Sequence, residues 1–339
     1  MRVVVALDSF KGTFTAERGC ALVAAGVGDA GDQAVELPVA DGGEGTLSVL
    51  LAALGGTRVS ASVLDPLGRQ IQATWGLLEG GSKAVVETAA ASGLRLVDCS
   101  PSAAYDASTY GTGQLIAAAA AAGVSEIVVG LGGSATSDGG RGAIEAINDA
   151  GGLRTARLTL LCDVTTCYED APTLFGPQKG ADAATVRALN RRLAHTARAL
   201  PRDPRRRAMT GAAGGLSGAL WSAFDAELTP GASRVLDVVG FDEKVARCDA
   251  VITGEGRLDH GSYQGKLVGE VARRCRLRGL PVYAVVGSLA PECADDRAFA
   301  TITVASTPAQ LRKAWRSVRS GSAPWNSRLA PGANGSDDP

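Results

Sequence analysis

Five short aliphatic runs in this chain each end in a loop carrying glycine, aspartate or serine, and several lead straight into a helix-like segment. "RVVVALDS" runs into "TAERGCALVAAGV" and "AVELPVADGGEG" into "TLSVLLAAL"; later "DAVITGEG", "PVYAVVGS" and "ATITVAS" take the same form, with "LVGEVARRCRLRG" between the first two of these. That is the rhythm of βα units in a mostly parallel sheet. The five runs are expected to share one doubly wound sheet. Aromatic residues make up 4% of the chain against 45% apolar overall, so the core has to be built from Val, Leu, Ile and Ala at close backbone spacing, which suits an α/β fold.

Between these runs the texture changes. "GTRVSASVLDPLGRQIQATWGLLEGGSKAVVET" alternates short strands with the turn pairs "DPLG" and "EGGS", the pattern of antiparallel hairpins. The Ala-rich helix "TGQLIAAAAAAG" and the strands "EIVVGLGG" and "LTLLCDV" follow. A second, mixed α/β domain is therefore expected over residues 63–241, inserted into a first domain made of 1–62 and 242–320. The Gly/Pro/Ser-rich end, 321–339, is expected to be a disordered tail.

The net charge of −1 gives no general field for nucleic acid or an anionic membrane, and the local patch "PRDPRRRAM" reads as a solvated loop. Seven cysteines without a C-x-x-C pair and two histidines suggest neither a disulfide framework nor a zinc site. His195 reads as a helix-surface residue; His260, beside Asp259, is the one candidate for a catalytic imidazole. No secretory h-region precedes Asp8, and the run "LIAAAAAAG" is too short to cross the ~20 residues of a bilayer. A cytoplasmic protein is expected, with small-molecule partners and neither nucleic acid nor membrane; a homo-oligomer is left open.

Several loops combine glycine with ionisable residues. "DSFKG" places Asp8, Ser9 and Lys11 at the end of the first strand. "ADGGEGT" places Asp41, Gly42, Gly43 and Glu44 between a strand and a helix, at the edge where open α/β sheets bind ligands. Asp41 can equally be a turn former, and Glu44 a first-turn helix residue. "GLGGSATSDGGRG" is long for a turn, and its small residues, Gly132, Gly133, Ser134, Thr136 and Asp138 among them, suit a backbone cradle for phosphate or carboxylate. "ITGEGRLDHGSYQGK" carries Gly254, Glu255, Arg257, Asp259 and Lys266; its carboxylates suit Mg²⁺ and its lysine a phosphate, or it is a polar loop with internal ion pairs. "FGPQKGA" and "GAAGGLSGAL" are weaker candidates of the same kind, since the first can equally start a helix and the second can equally be close helix packing. There is no P-loop, "GSYQGK" being one residue short of that spacing, no complete G-x-G-x-x-G, and no protein-kinase signature.

In order, "DSFKGT", "ADGGEGT", "VVETAAASGL", "TYGTGQLI", "GGSATSDGG", "FGPQKGA", "GAAGGLSGAL" and "TGEGRLD…GK" resemble the bacterial glycerate kinase family, over residues 3–288. The resemblance implies two α/β domains, one Rossmann- or flavodoxin-like, with ATP and D-glycerate bound in a cleft between them. It implies phosphorylation of D-glycerate, chiefly to the 2-phosphate, in the cytoplasm. On this reading Lys11, Asp41, Asp259 and Lys266 are catalytic candidates. Asp8, Ser9, Gly42, Gly43, Glu44, Gly132, Gly133, Ser134, Thr136, Asp138, Gly254, Glu255 and Arg257 are binding candidates, and Asp41 with Glu44 candidate Mg²⁺ ligands.

Four departures qualify it. The family carries a longer segment after "IEAINDAGG", an Asn-Pro-Leu stretch where this chain has "TTCYED", commonly Asn at Ser137, and a longer C-terminal helix than "AQLRKAWRSV". A non-catalytic or weakened relative that binds a nucleotide or small acid, and a kinase for another small hydroxy acid, are the competing readings.

Overall fold

The computed structural model describes residues 1–263, 266–293 and 297–320; the tail expectation for 321–339 lies outside the described residues. In chain order the strands are β1 (Arg2–Leu7), β2 (Gln33–Glu36), β3 (Gly56–Leu64), β4 (Gln70–Leu78), β5 (Lys83–Glu87), β6 (Glu126–Gly130) and β7 (Arg157–Cys162). They continue with β8 (Glu227–Pro230), β9 (Ala250–Gly254), β10 (Arg257–Leu258), β11 (Val282–Val286), β12 (Ser288–Leu289) and β13 (Thr301–Val304). They fall into two units: Met1–Leu37 with Glu243–His260 and the chain from Val271, and Pro38–Asp242 with Gly261–Glu270.

In the first unit the five runs read from the sequence form one sheet in the order β13-β11-β9-β1-β2, parallel throughout. The helix Ala16–Asp29 starts at Thr15, whose side chain accepts a hydrogen bond from Arg18 N at 3.2 Å. Cys20, Val23, Ala24 and Val27 recur at helical spacing and are buried in a core with Val3, Val5, Leu7, Ile252 and Val285. The helix Pro308–Ser320 adds Leu311, Ala314 and Trp315 to that core, and the indole N–H of Trp315 donates to Asp32 Oδ2 at 2.8 Å.

The second unit is a six-stranded sheet, β3-β4-β5-β6-β7-β8. β3, β4 and β5 pair antiparallel as the hairpin texture predicts, while β5 to β8 are parallel. One face packs on the helices Tyr110–Ala121, Arg141–Asp149 and Leu216–Phe224 through Leu115, Ile116, Ile147, Leu216 and Leu220. The other carries the helices Thr46–Leu54 and Gly231–Val238. Leu47 and Leu50 of the first of these bury against Leu78 and Val85. The unit therefore begins at Pro38, not near residue 63 as the texture of the sequence suggested, because the helix after β2 covers the six-stranded sheet.

The connection after Asp149 is short and closed. Gly151 N donates to Asn148 O (3.0 Å) and Gly152 N to Ile147 O (2.8 Å), with both glycines left-handed, and Leu153 and Ala156 then join the core ahead of β7. Among the described residues no helix is long and apolar enough to cross a membrane.

Candidate functional site

Each unit gathers polar residues at the carboxyl edge of its own parallel strands. In the first, the register pairs Leu7 with Gly254, so the residues after β1 and β9 leave the sheet side by side. Buried Asp8 donates its N–H to Gly254 O (2.9 Å) and accepts from Ser9 N at Oδ1 (2.6 Å). Phe10, 1% exposed, anchors the following turn; its carbonyl accepts from Thr13 N at 2.7 Å and Phe14 N at 3.1 Å, leaving the Lys11 side chain at the surface. A Cβ on Gly256 would lie 3.2 Å from Lys11 N, so the loop after β9 runs directly along this turn.

Asp8, Ser9, Lys11, Gly254 and Glu255 are thus brought together. Arg257 is exposed and forms a 3.5 Å ion pair with partly exposed Asp259, an internal pairing of the kind a polar loop makes. His195 and His260 are both exposed. Lys266 precedes the helix Leu267–Arg276 and lies in the short segment grouped with the second unit, its carbonyl accepting from Glu270 N at 3.1 Å.

In the second unit the register aligns Glu87 of β5 with Gly130 of β6 and Gly130 with Leu161 of β7, setting Glu87, the loop from Leu131 and Asp163 along one edge. The segment Asp41–Gly45 lies on this edge at backbone contact. A Cβ on Gly130 would stand 2.7 Å from Gly42 O, and one on Gly132 would stand 2.6 Å from Gly43 Cα and 3.3 Å from Asp163 Oδ2. Asp41 is 4% exposed; its Oδ1 accepts from Gly43 N at 2.9 Å, and its Oδ2 accepts from none of the described residues.

Glu87 holds the far end of the segment. Its Oε1 accepts from Gly45 N (2.9 Å) and Leu47 N (2.8 Å), replacing the side-chain cap that Gly45 cannot give the helix Thr46–Leu54. Burial pushes the Glu87 pKa up, against the two N–H donors that favour its charged form. Glu44 turns outward to an ion pair with Arg95 (2.9 Å), and the two line a recess of about 140 Å³ together with Glu87, Gly93 and Gly133.

The loop Leu131–Gly140 is pinned from three sides. Asp138 Oδ2 accepts from Thr109 N (2.8 Å), Thr109 Oγ1 (2.8 Å) and Gly142 N (3.2 Å), and its Oδ1 from Gly140 N (3.1 Å). Its carboxylate is taken up in closing the loop. Tyr168, fully buried, donates its hydroxyl to Gly139 O at 3.0 Å, and its ring fills the space left by Gly215 and Gly218. This is the role of the "TTCYED" stretch, and it gives "GAAGGLSGAL" the close packing that its glycines suggest.

The third pin is Lys179 of "FGPQKGA", in the short turn Pro177–Lys179. It is 3% exposed, and its ammonium donates to Thr136 O at 2.6 Å and Ser134 Oγ at 3.2 Å. Burial pulls its pKa from 10.5 to about 8, opposed by the Asp138 and Asp163 carboxylates. The N–H groups of Gly132 and Gly133 donate to no other described residue, and Ser137 Oγ is buried without a partner.

Glu87, Asp163 and Lys179 escaped the sequence reading. The signals were a carboxylate closing an aliphatic strand in "AVVE", an aspartate after "LLC", and a lysine set among proline and two glycines. Among the described residues no three His, Cys, Asp or Glu side chains converge as a metal cage. Mg²⁺ takes one or two carboxylates and completes its shell with water and phosphate oxygens, so Asp41, with Oδ2 uncommitted, fits such an ion. Glu44, engaged by Arg95, fits less well.

Parallel sheets ending in glycine loops, carboxylates and lysines are the equipment of a phosphotransferase acting on small molecules. A model of the "Glycerate kinase family" matches residues 3–150 and 148–323. The chain is 37% identical to a glycerate kinase of Halalkalibacterium halodurans over 326 residues, covering 85% of each chain. It is 36% identical to the glycerate 2-kinase of Escherichia coli over 326 residues, covering 85% of this chain and 86% of the other. The crystal structure of a putative glycerate kinase 2 from Salmonella typhimurium superposes with a TM-score of 0.76 at 31% identity, over 94% of this chain and 97% of that one. The chain belongs to the glycerate kinase family and is an ATP-dependent kinase. The two matched stretches meet at residues 148–150, at the connection where the sequence reading expected a shortened segment.

Proposed function

We propose that this chain transfers the γ-phosphoryl group of ATP to D-glycerate, with 2-phosphoglycerate as the product. The observation that carries the reading is the carboxyl edge of β5, β6 and β7, where Asp41 lies against a glycine loop that has free N–H groups and a buried ammonium. Phosphoryl transfer needs little covalent chemistry from the protein and much positioning of charge. In this reading Gly132, Gly133 and Ser134 meet an anionic reactant, and Lys11 and Lys266 act as point charges on phosphate.

Asp41 would hold Mg²⁺, which when bound neutralises charge on the phosphates. Asp259 orients the acceptor hydroxyl or takes its proton. Asp138 and Glu44 leave the set of ligand candidates, since one closes a loop and the other is paired at the surface. We assign the reaction to the cytoplasm, where ATP is at hand.

Purified protein with ATP, Mg²⁺ and D-glycerate should release ADP. The ³¹P resonance of the product should be a doublet, from one proton on C2, where a 3-phosphate gives a triplet. A folded protein that is stabilised by ATP yet releases no ADP with D-glycerate would instead be a binding protein, and turnover with another hydroxy acid alone would move the substrate.

A further inference from the structure

Lysine is almost never fully buried unless paired. Lys179 is buried, yet among the described residues no carboxylate stands within ion-pair reach of its Nζ. Its partners are a carbonyl and a hydroxyl, Thr136 O and Ser134 Oγ, both on the loop after β6. A buried charge held by neutral groups is costly, and an apolar side chain of similar volume would generally serve stability better. What the lysine supplies is a fixed positive charge in a low-dielectric place, joined by two hydrogen bonds to the segment that carries the uncommitted N–H groups of Gly132 and Gly133. There a charge acts on an anion more strongly than it would in water, and with no reorganisation.

We propose that Lys179 is a positioning residue for phosphoryl transfer, its ammonium holding the loop from Gly132 to Ser137 in shape and making it electropositive toward an anionic reactant. This rests on the phosphorylation of glycerate argued above, and it concerns a residue that does not itself meet the reactant, since the side chain is closed off from solvent.

The charged groups that act on Lys179 are Asp138, on the loop after β6, and Asp163, after β7. Burial pushes the Tyr168 phenol up and the Cys162 thiol to about 12, so both stay neutral while Lys179 titrates. A lysine lowered to about 8 is charged below that pH and neutral above it. Activity that depends on its charge therefore falls as pH rises through this value.

The test uses the full chain and two readouts. In the first, kcat and KM for ATP and D-glycerate are measured from neutral to alkaline pH for the wild type, Lys179→Met and Ser134→Ala. The wild type should lose kcat above about pH 8. Lys179→Met should lower kcat at neutral pH by at least ~10²-fold, with KM for ATP changed only a few-fold, and should lack the alkaline fall. Ser134→Ala, which keeps the ammonium and removes one acceptor, should shift that fall to lower pH and guards against a Met variant that does not fold. Wild-type kcat in Lys179→Met, or an alkaline limb unchanged in both variants, overturns the proposal.

In the second readout the ¹³Cε resonance of Lys179, assigned by its loss in Lys179→Met or by its displacement in Ser134→Ala, is titrated with and without ATP. The midpoint should rise when ATP binds, because an anion nearby favours the charged form. A midpoint indifferent to bound ATP overturns the proposal. This readout needs no turnover, so a chain inactive on D-glycerate would end the proposed function and leave the role of Lys179 still decided by the titration.

Discussion

Replacing Asp138 by asparagine separates a ligand carboxylate from a structural one. Three donors converge on Oδ2 and one on Oδ1, all backbone N–H groups except the Thr109 hydroxyl. An asparagine oxygen at the Oδ2 position keeps three of the four bonds but turns charge-assisted bonds into neutral ones, which are roughly half as strong. The amide nitrogen at the Oδ1 position then confronts Gly140 N–H, donor against donor, and a buried donor left unmade costs about 1–3 kcal/mol. Together the change should destabilise the second unit by about 3 kcal/mol. Because the chain has two units, one unfolding free energy is not well defined, and the loss is better read locally. Hydrogen exchange at the Thr109, Gly140 and Gly142 amides should quicken by ~10²-fold, with a lower calorimetric midpoint for this unit. If those amides stay as protected as in the wild type while KM for ATP rises, the carboxylate serves the ligand and the structural assignment is wrong.

Two further substitutions probe the same edge. Glu87→Gln keeps an oxygen for Gly45 N and Leu47 N and removes the buried charge. Since the folded Glu87 pKa is raised, its stabilising contribution is present below its unfolded value and is lost as pH rises through the folded one. Thermal melts should accordingly show the stability of the Gln variant relative to wild type growing from pH 4 to pH 7, and a difference that shrinks over that range would reverse the sign of the shift. Gly132→Ala puts a Cβ 2.6 Å from Gly43 Cα, so backbone has to move; about 1–3 kcal/mol of stability and most of the turnover should go with it. Wild-type melting and kcat in this variant would show that the two loops can separate freely.

What the sequence discloses about the fold follows from how local each cause is. Val3 to Val5, Ala250 to Ile252 and Val282 to Val286 are buried because their strands lie inside a parallel sheet, and that burial is written as continuous apolar runs. The sheet that a helix joins is not written locally. Thr46–Leu54 follows β2 in the chain but settles on Leu78 and Val85, a choice made by side chains more than twenty residues ahead. Glu87 and Lys179 were hidden for the same reason. A glutamate at a strand end and a lysine in a turn look like solvated charges until the chain folds Gly45, Leu47, Ser134 and Thr136 onto them.

The glycines of the site carry a related ambiguity, and their structure shows how it arises. A glycine-rich loop is evidence that something comes closer to the backbone than a Cβ would allow, and a phosphate is only one such visitor. For Gly42, Gly130 and Gly132 the visitors include another stretch of main chain, as the loop of Asp41 sits on the ends of β6 and β7, and for Gly43 the visitor is the Asp41 carboxylate, 2.9 Å from where a Cβ would stand. Gly133 differs: it is exposed, left-handed at φ 76°, and its N–H has no partner among the described residues. One run of glycine therefore does two jobs in adjacent residues. Gly132 lets the Asp41 loop close on the sheet edge, and Gly133 leaves a donor uncommitted in the next residue, so the anion-binding role proposed for Gly133 would depend on a backbone contact that holds no ligand at all.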